Sequence, residues 1–313
     1  MPDFEARTGR ETAPILIVGA KGQLGVELCR SLAQLGPIVA MGRETCDLTS
    51  PEQIKDAVRS VRPRLVVNAS GFTAVDAAET SADLAHAVNA RAPGVLAAEA
   101  KALGALMIHY STDYVFDGTK SAPYVEDDAT APLSVYGRSK LDGEHAVRGV
   151  DVDHWIFRTS WVFGVQGGNF LKSIARAARS RPSLSVVADQ IGAPTPASLL
   201  ADVTALAAYR YLDNRAPMAR GVYHLAASGE TSWHEFARRI VDTLAAADVA
   251  LTVTSDQVLP VTAANYGSAA PRPTNSLLDT SKLRAALNIE LPDWREGVDR
   301  VLAEFVAGQR LLG

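Results

Sequence analysis

Apolar and polar positions in the first half of the chain alternate in blocks. Short runs rich in β-branched and large apolar residues, Ile15–Val18 (ILIV), Ile38–Met41, Leu65–Val67, Leu106–Tyr110 and His154–Arg158, show little polar alternation, as strands covered on both faces do. Between them, Gln23–Leu35, Pro51–Val61 and Ala82–Leu103 have the length and spacing of helices. Strands alternating with helices in this way predict an α/β fold, a doubly wound parallel sheet with helices on both faces. The second half is less regular. Asn169–Ser180 and Ala197–Tyr211 read as helices, and Leu184–Val187 and Val222–Leu225 as strands. Prolines at 194, 196, 260, 271, 273 and 292 mark turns and extended links, which suits a smaller, loop-rich C-terminal lobe. Such a lobe would cover the C-terminal edge of the sheet, where open α/β sheets bind ligands.

Composition narrows the classes. A chain of 313 residues can build one large domain or two closely packed ones. With 47% hydrophobic and 21% charged residues it has the balance of a soluble globular protein. The formal net charge is −4 and no basic block stands out, so nucleic acid is not an expected partner. Two cysteines, Cys29 and Cys46, cannot make a disulfide framework and do not stand at metal spacing. His224 and His234 match no helical metal motif, and no metal ligand set is expected. No apolar run approaches the roughly 20 residues of a membrane span. Residues 1–13, MPDFEARTGRETA, are polar and lack the apolar core of a signal peptide, so they read as a loose arm. A cytoplasmic location is the expectation.

ILIVGAKGQLGVEL sets Gly19, Gly22 and Gly25 directly after a strand and at the opening of a helix. Glycines there permit a tight turn and close approach of backbone N–H groups to a pyrophosphate, beside the positive end of the helix. The amides of Gln23 and Leu24 would lie near those phosphates. This context points to a Rossmann-type dinucleotide site. The second strand ends in MGRE. Arg43 can pair with a 2′-phosphate, which favours NADPH, whereas Glu44 could contact a 2′-hydroxyl and admit NADH. Asp47 and Leu48 stand where an adenine could rest, and Ala69–Thr73, with Gly71, Phe72 and Thr73, follow the third strand along the cofactor. Asn68 is expected to satisfy backbone groups in that turn. The resulting division is an arm over residues 1–13, a dinucleotide-binding domain over 14–158 completed by parts of 184–225, and a substrate-binding lobe over 159–183 and 226–313.

VYGRSK carries the candidate chemistry. Tyr136 and Lys140, four apart, share one face of a helix. A free phenol titrates near 10, and a neighbouring ammonium lowers that value toward the working range. Upstream, HYSTDYVFDG ends the fourth strand, and its Thr112 can hydrogen-bond a carbonyl oxygen as charge develops. A cofactor loop, a tuned phenol and a hydroxyl together describe hydride transfer to a ketone.

These residues resemble the extended short-chain dehydrogenase/reductase superfamily, whose catalytic triad Thr112, Tyr136 and Lys140 match. VNASGFTAVDAAE, HYSTDYVFDG, SVYGRSKLDGE, IFRTSWVFG, DQIGAPT, GVYHLAASGETSWHEFA and RPTNSLLDTSKL resemble, in order, the blocks of the dTDP-4-dehydrorhamnose reductase family. That resemblance implies NADPH-dependent reduction of the 4-keto group of dTDP-4-dehydro-β-L-rhamnose, a nucleotide-sugar substrate, to dTDP-β-L-rhamnose. It implies that Thr112 and Asp113 meet the sugar, that Trp161 packs on it, that Tyr136 donates the proton and that Lys140 binds the nicotinamide ribose. Gly22–Leu24, Asp47, Leu48, Gly71–Thr73 and Tyr110 map onto its cofactor contacts. Some members form dimers around magnesium held by three glutamates. Here Glu27 is kept, but Ser198 and Arg295 stand at the other two positions, so magnesium is doubtful and a monomer or weak homodimer is expected. Two other roles occur on related chains: the non-catalytic regulatory subunit of methionine adenosyltransferase, and nucleotide-sugar epimerases or dehydratases.

Overall fold

The computed structural model describes residues 13–214 and 218–312, so the expected arm lies outside the described residues except for its last position. The chain divides into two compact units. The first takes the chain up to Thr112, then residues 135–158 and 201–223; the second takes Asp113–Ser134, Thr159–Leu200 and the chain from His224 onward.

In the first unit the elements run β1 (Ile15–Val18), α1 (Gln23–Leu32), β2 (Ile38–Met41), α2 (Pro51–Val61), β3 (Leu65–Asn68), α3 (Val75–Ala78), α4 (Ala82–His86), α5 (Ala92–Leu103), β4 (Leu106–Thr112), α6 (Val135–Gly149) and β5 (His154–Thr159). Six strands form one parallel sheet in the order Gly221–His224, β5, β4, β3, β1, β2, the expected doubly wound α/β architecture. In register, Val18 lies between Met41 of β2 and Asn68 of β3. The chain's lateral progress therefore reverses at β1, and the C-terminal end of that strand is the switch point where such sheets bind ligands.

Burial explains why the apolar runs are continuous. Every residue of β1, β3, β4 and β5 is buried. Leu16, Val18, Val66, Met107 and Ile156 from the strands pack with Val58, Leu96, Ala97 and Val147 from the helices in one core. Full burial of each large side chain contributes roughly 1.5–3 kcal/mol. The helix ends follow local chemistry. At α2, Ser50 accepts a hydrogen bond from the Gln53 amide, Pro51 takes the first turn, and Arg62 closes the helix in the left-handed region at φ 49°.

The expected single helix over Ala82–Leu103 is interrupted. One wide π turn, Ala87–Arg91, separates α4 from α5. Pro93 has no N–H to give the Asn89 carbonyl four residues back, so the regular ladder cannot pass through. The helix expected over Gln23–Leu35 likewise tightens into a 3₁₀ turn at Ala33–Leu35.

The second unit is built from short pairings: Val162–Phe163 with Thr195–Pro196, Ile191–Gly192 with Thr231–Ser232, and Leu184–Val187 with Val258–Val261. Helices Phe170–Ala177 and Trp233–Ala246 pack through an aromatic cluster of Phe163, Phe170, Trp233, Phe236 and Trp294. Among the described residues, no helix is long and apolar enough to cross a membrane.

Candidate active site

The loop between β1 and α1 is shaped by what it cannot hold. Gly19 sits at φ 83°, and its amide and that of Ala20 both donate to the Met41 carbonyl, at 2.9 and 3.0 Å. The glycine turn is thereby fastened to the end of β2. A Cβ on Gly25 would stand 2.1 Å from the Gly19 carbonyl oxygen, so only glycine lets α1 start this close to the turn. Gly22 caps α1 without a side chain, ahead of Gln23 and Leu24. Bare backbone at a helix N-terminus fits a dinucleotide pyrophosphate.

Beyond β2, Arg43 and Glu44 are exposed, and Lys21 of the glycine loop reaches Glu44 at 2.5 Å. Asp47 accepts hydrogen bonds from the amide and hydroxyl of Thr49, both at 2.9 Å. These bonds, with a smaller contribution from the Arg43 charge, hold its carboxyl below the usual carboxylate range. Leu48 beside it is buried. After β3, Asn68 accepts from the Ser70 amide at 3.1 Å, the backbone role expected of it.

One buried side chain ties the loop after β3 to the helix bearing Tyr136. Asn89, in the π turn, accepts from the Phe72 amide at 2.8 Å and donates to the Phe72 carbonyl at 3.0 Å. It also donates to the Ser139 hydroxyl at 3.0 Å, and Ser139 donates to the Tyr136 carbonyl at 2.8 Å. Gly71–Thr73 and α6 are thus held by one amide. α6 can come this near because a Cβ on Gly143 would meet the Asn89 carbonyl oxygen at 2.1 Å.

Tyr136 and Lys140 lie on α6, whose first residue, Val135, donates its amide to Glu79 at 2.8 Å. Tyr136 is half-buried. Lys140 is buried, and its Nζ donates to the Tyr110 carbonyl at 2.5 Å. Burial pulls the Lys140 pKa down from 10.5 to about 8, with Glu144 opposing the shift. Thr112 is buried at the end of β4. Tyr110 meets Lys140 through its backbone; its own phenol bonds Thr204 at 2.7 Å, and burial raises its pKa so that it stays protonated. His109 lies 3.2 Å from Asn68, and burial, then the Lys140 charge, keep its ring neutral. Below the helix, Arg158 donates twice to Glu144, at 2.9 and 2.7 Å, and Ser111 donates to the same carboxylate at 2.5 Å. These buried groups anchor β4 and β5 to α6.

In the second unit, Asp113 is buried at the start of a 3₁₀ turn, immediately after Thr112 in the chain. Trp161 has a left-handed backbone, φ 47°, and its ring stacks on Trp233 at 3.6 Å between centroids and 12° between planes. A Cβ on Gly192 would stand 2.5 Å from the Trp161 ring, so the glycine leaves the space the indole fills. The strained backbone, the stacked partner and the bare glycine fix one indole orientation.

Sequence reading missed Asn89, Ser139, Glu144, Arg158 and Trp233 as parts of these sites. The Gly143 notch and the proline after Asn89 were the available signals for the first two. The three positions considered for magnesium are each engaged otherwise. Glu27 accepts from Arg30 at 2.9 Å, Ser198 accepts from Arg300, and Arg295 pairs with Asp293 at 3.0 Å. Among the described residues, no group of three or more His, Cys, Asp or Glu side chains is placed to hold a metal ion.

Comparison with known proteins covers nearly the whole chain. The model of the RmlD substrate binding domain family matches residues 13–307. A Burkholderia thailandensis protein named dTDP-4-dehydrorhamnose reductase is 48% identical over 94% of this chain and 99% of its own length. One of the same name from Salmonella typhimurium is 45% identical over 93% of this chain and 97% of its own. The crystal structure of the Bacillus anthracis dTDP-4-dehydrorhamnose reductase in complex with NADP superposes with a TM-score of 0.83 at 33% identity, covering 94% of this chain and 99% of that one.

Proposed function

The chain belongs to the dTDP-4-dehydrorhamnose reductase family, and from that premise we propose that it is an oxidoreductase reducing the 4-keto group of dTDP-4-dehydro-β-L-rhamnose to give dTDP-β-L-rhamnose. NADPH is the proposed reductant, with NADH as the lesser alternative. The observation that carries this reading lies within the first unit. A Tyr-x-x-x-Lys helix face, with its lysine buried against β4, is tied by Asn89 to the loop after β3 beside the glycine turn.

Gly19 and Gly22–Gly25 would hold the pyrophosphate, Arg43 the 2′-phosphate, Asp47 and Leu48 the adenosine, Gly71–Thr73 the length of the cofactor, and Lys140 the nicotinamide ribose. When bound, reduced nicotinamide supplies the hydride for the new C–H bond at C4. The chain supplies the proton. Tyr136 gives its phenolic proton to the C4 oxygen, while the Thr112 hydroxyl hydrogen-bonds that oxygen as negative charge grows on it. Near pH 7 the Lys140 amine, with a pKa of about 8, is mostly charged, and an adjacent ammonium favours the phenolate that remains. Asp113 and Trp161 are assigned to the sugar. The protein would work in the cytoplasm, without magnesium, as a monomer or weak homodimer.

The test is direct. Purified protein given NADPH and enzymatically prepared keto sugar should consume the reduced nicotinamide in step with the sugar. No net consumption would overturn the assignment, and isomerised sugar with the cofactor unchanged would identify an epimerase instead.

A further inference from the structure

Two charged side chains meet where a dinucleotide's adenosine end would be read. Lys21 lies in the glycine turn and Glu44 just past β2, 23 positions on, and their charged ends are 2.5 Å apart. The pair bridges Gly42, where a Cβ would stand 2.5 Å from the Glu44 carboxylate and 3.3 Å from the Lys21 chain. Gly42 therefore leaves the passage the pair uses. In dinucleotide folds, an acidic residue about 20 positions after the glycine turn accepts the ribose 2′-hydroxyl, and the same carboxylate repels a 2′-phosphate. Glu44 has the chemistry and the place for that role, yet its charge is already matched. Arg43, one residue before it, is exposed.

We infer that Lys21 is a specificity-determining residue: by neutralising Glu44 it cancels the carboxylate's repulsion of a 2′-phosphate, and leaves Arg43 to receive that phosphate. The inference rests on the cofactor reading above. Both side chains are largely exposed, at 76% and 61%, so changing them should not disturb the fold. Selectivity is what should change. An uncompensated carboxylate a few ångström from a phosphate near the surface is worth roughly five- to tenfold in relative affinity.

The experiment is calorimetric titration of the protein with NADP⁺ and with NAD⁺, which needs no sugar and no turnover. Wild type should prefer NADP⁺. Lys21→Met should lower the NADP⁺ to NAD⁺ affinity ratio about five- to tenfold, less at high salt. Adding Glu44→Gln to that variant should restore the ratio, and Glu44→Gln alone should leave it nearly unchanged. An unaltered ratio in Lys21→Met would overturn the inference. So would a lowered ratio that Glu44→Gln fails to restore, since Lys21 would then be touching the phosphate itself. Wild type binding neither dinucleotide would instead sink the cofactor reading beneath it.

Discussion

Lys140 should be a residue that the protein keeps at the expense of its own stability. Its pKa falls from 10.5 to about 8 because its ammonium is buried. That displacement corresponds to about 3 kcal/mol. The sign follows from proton binding. Between pH 8 and 10.5 the unfolded chain holds the lysine proton and the folded chain does not, so stability rises with pH across that window. Below pH 8 the full cost is present. Lys140→Met removes the charge and keeps an apolar chain of similar reach, but gives up the bond to the Tyr110 carbonyl, worth about 1 kcal/mol. The variant should therefore be more stable than wild type by about 2 kcal/mol at pH 7.5. By pH 9.5 that advantage should have shrunk by about 2 kcal/mol, as wild type sheds the proton. Urea unfolding of both proteins without cofactor, followed by tryptophan fluorescence and circular dichroism at the two pH values, measures this. A variant less stable than wild type at pH 7.5, or a difference that ignores pH, would refute the reasoning. Activity should move the opposite way, with turnover lost in the variant and the wild-type kcat/KM falling above about pH 8 as the ammonium is neutralised.

What the sequence announced and what it concealed differ by range. ILIV, the glycine turn and the Tyr-x-x-x-Lys spacing are local patterns, and each acts within a few residues of where it is written. The sheet and the placement of Gly19, Gly25, Tyr136 and Lys140 were legible for that reason. Asn89 was not, because its partners Phe72 and Ser139 lie 17 and 50 positions away. Only the π turn forced by Pro93, meeting the notch at Gly143, brings them together. Glu44 reads as a 2′-hydroxyl acceptor, but its partner Lys21 stays hidden until the loop after β1 is laid against the end of β2. In the second unit the pairings at Ile191–Gly192 and Thr231–Ser232 are two residues long, too short for any period to show. Trp161 was visible through resemblance, but the ring that holds it, Trp233, is placed by those short pairings.

Four further outcomes are expected. Tyr136→Phe keeps the ring and loses the donor, so turnover should fall roughly 10²–10⁴-fold while titration with NADP⁺ stays near wild type. Activity should survive exhaustive EDTA treatment and gain nothing from added magnesium, since Glu27 and Arg295 are already in ion pairs. Gly192→Ala drives a Cβ into the Trp161 ring, so KM for the keto sugar should rise, on the order of tenfold or 1.4 kcal/mol, with KM for NADPH unchanged. The last concerns the Glu144 carboxylate, which is fully buried and takes both its ionic bonds from Arg158. Arg158→Met leaves that charge with the Ser111 hydroxyl and the nearby Lys140 charge in place of its ion pair, and removing one partner of a buried pair costs about 3–5 kcal/mol. Removing both charges in Arg158→Met/Glu144→Leu should recover most of the loss at neutral pH, as an apolar replacement of similar volume does not strand a charge. A double variant as unstable as the single one would show that packing at Arg158, and not the charge it neutralises, holds β5 to α6.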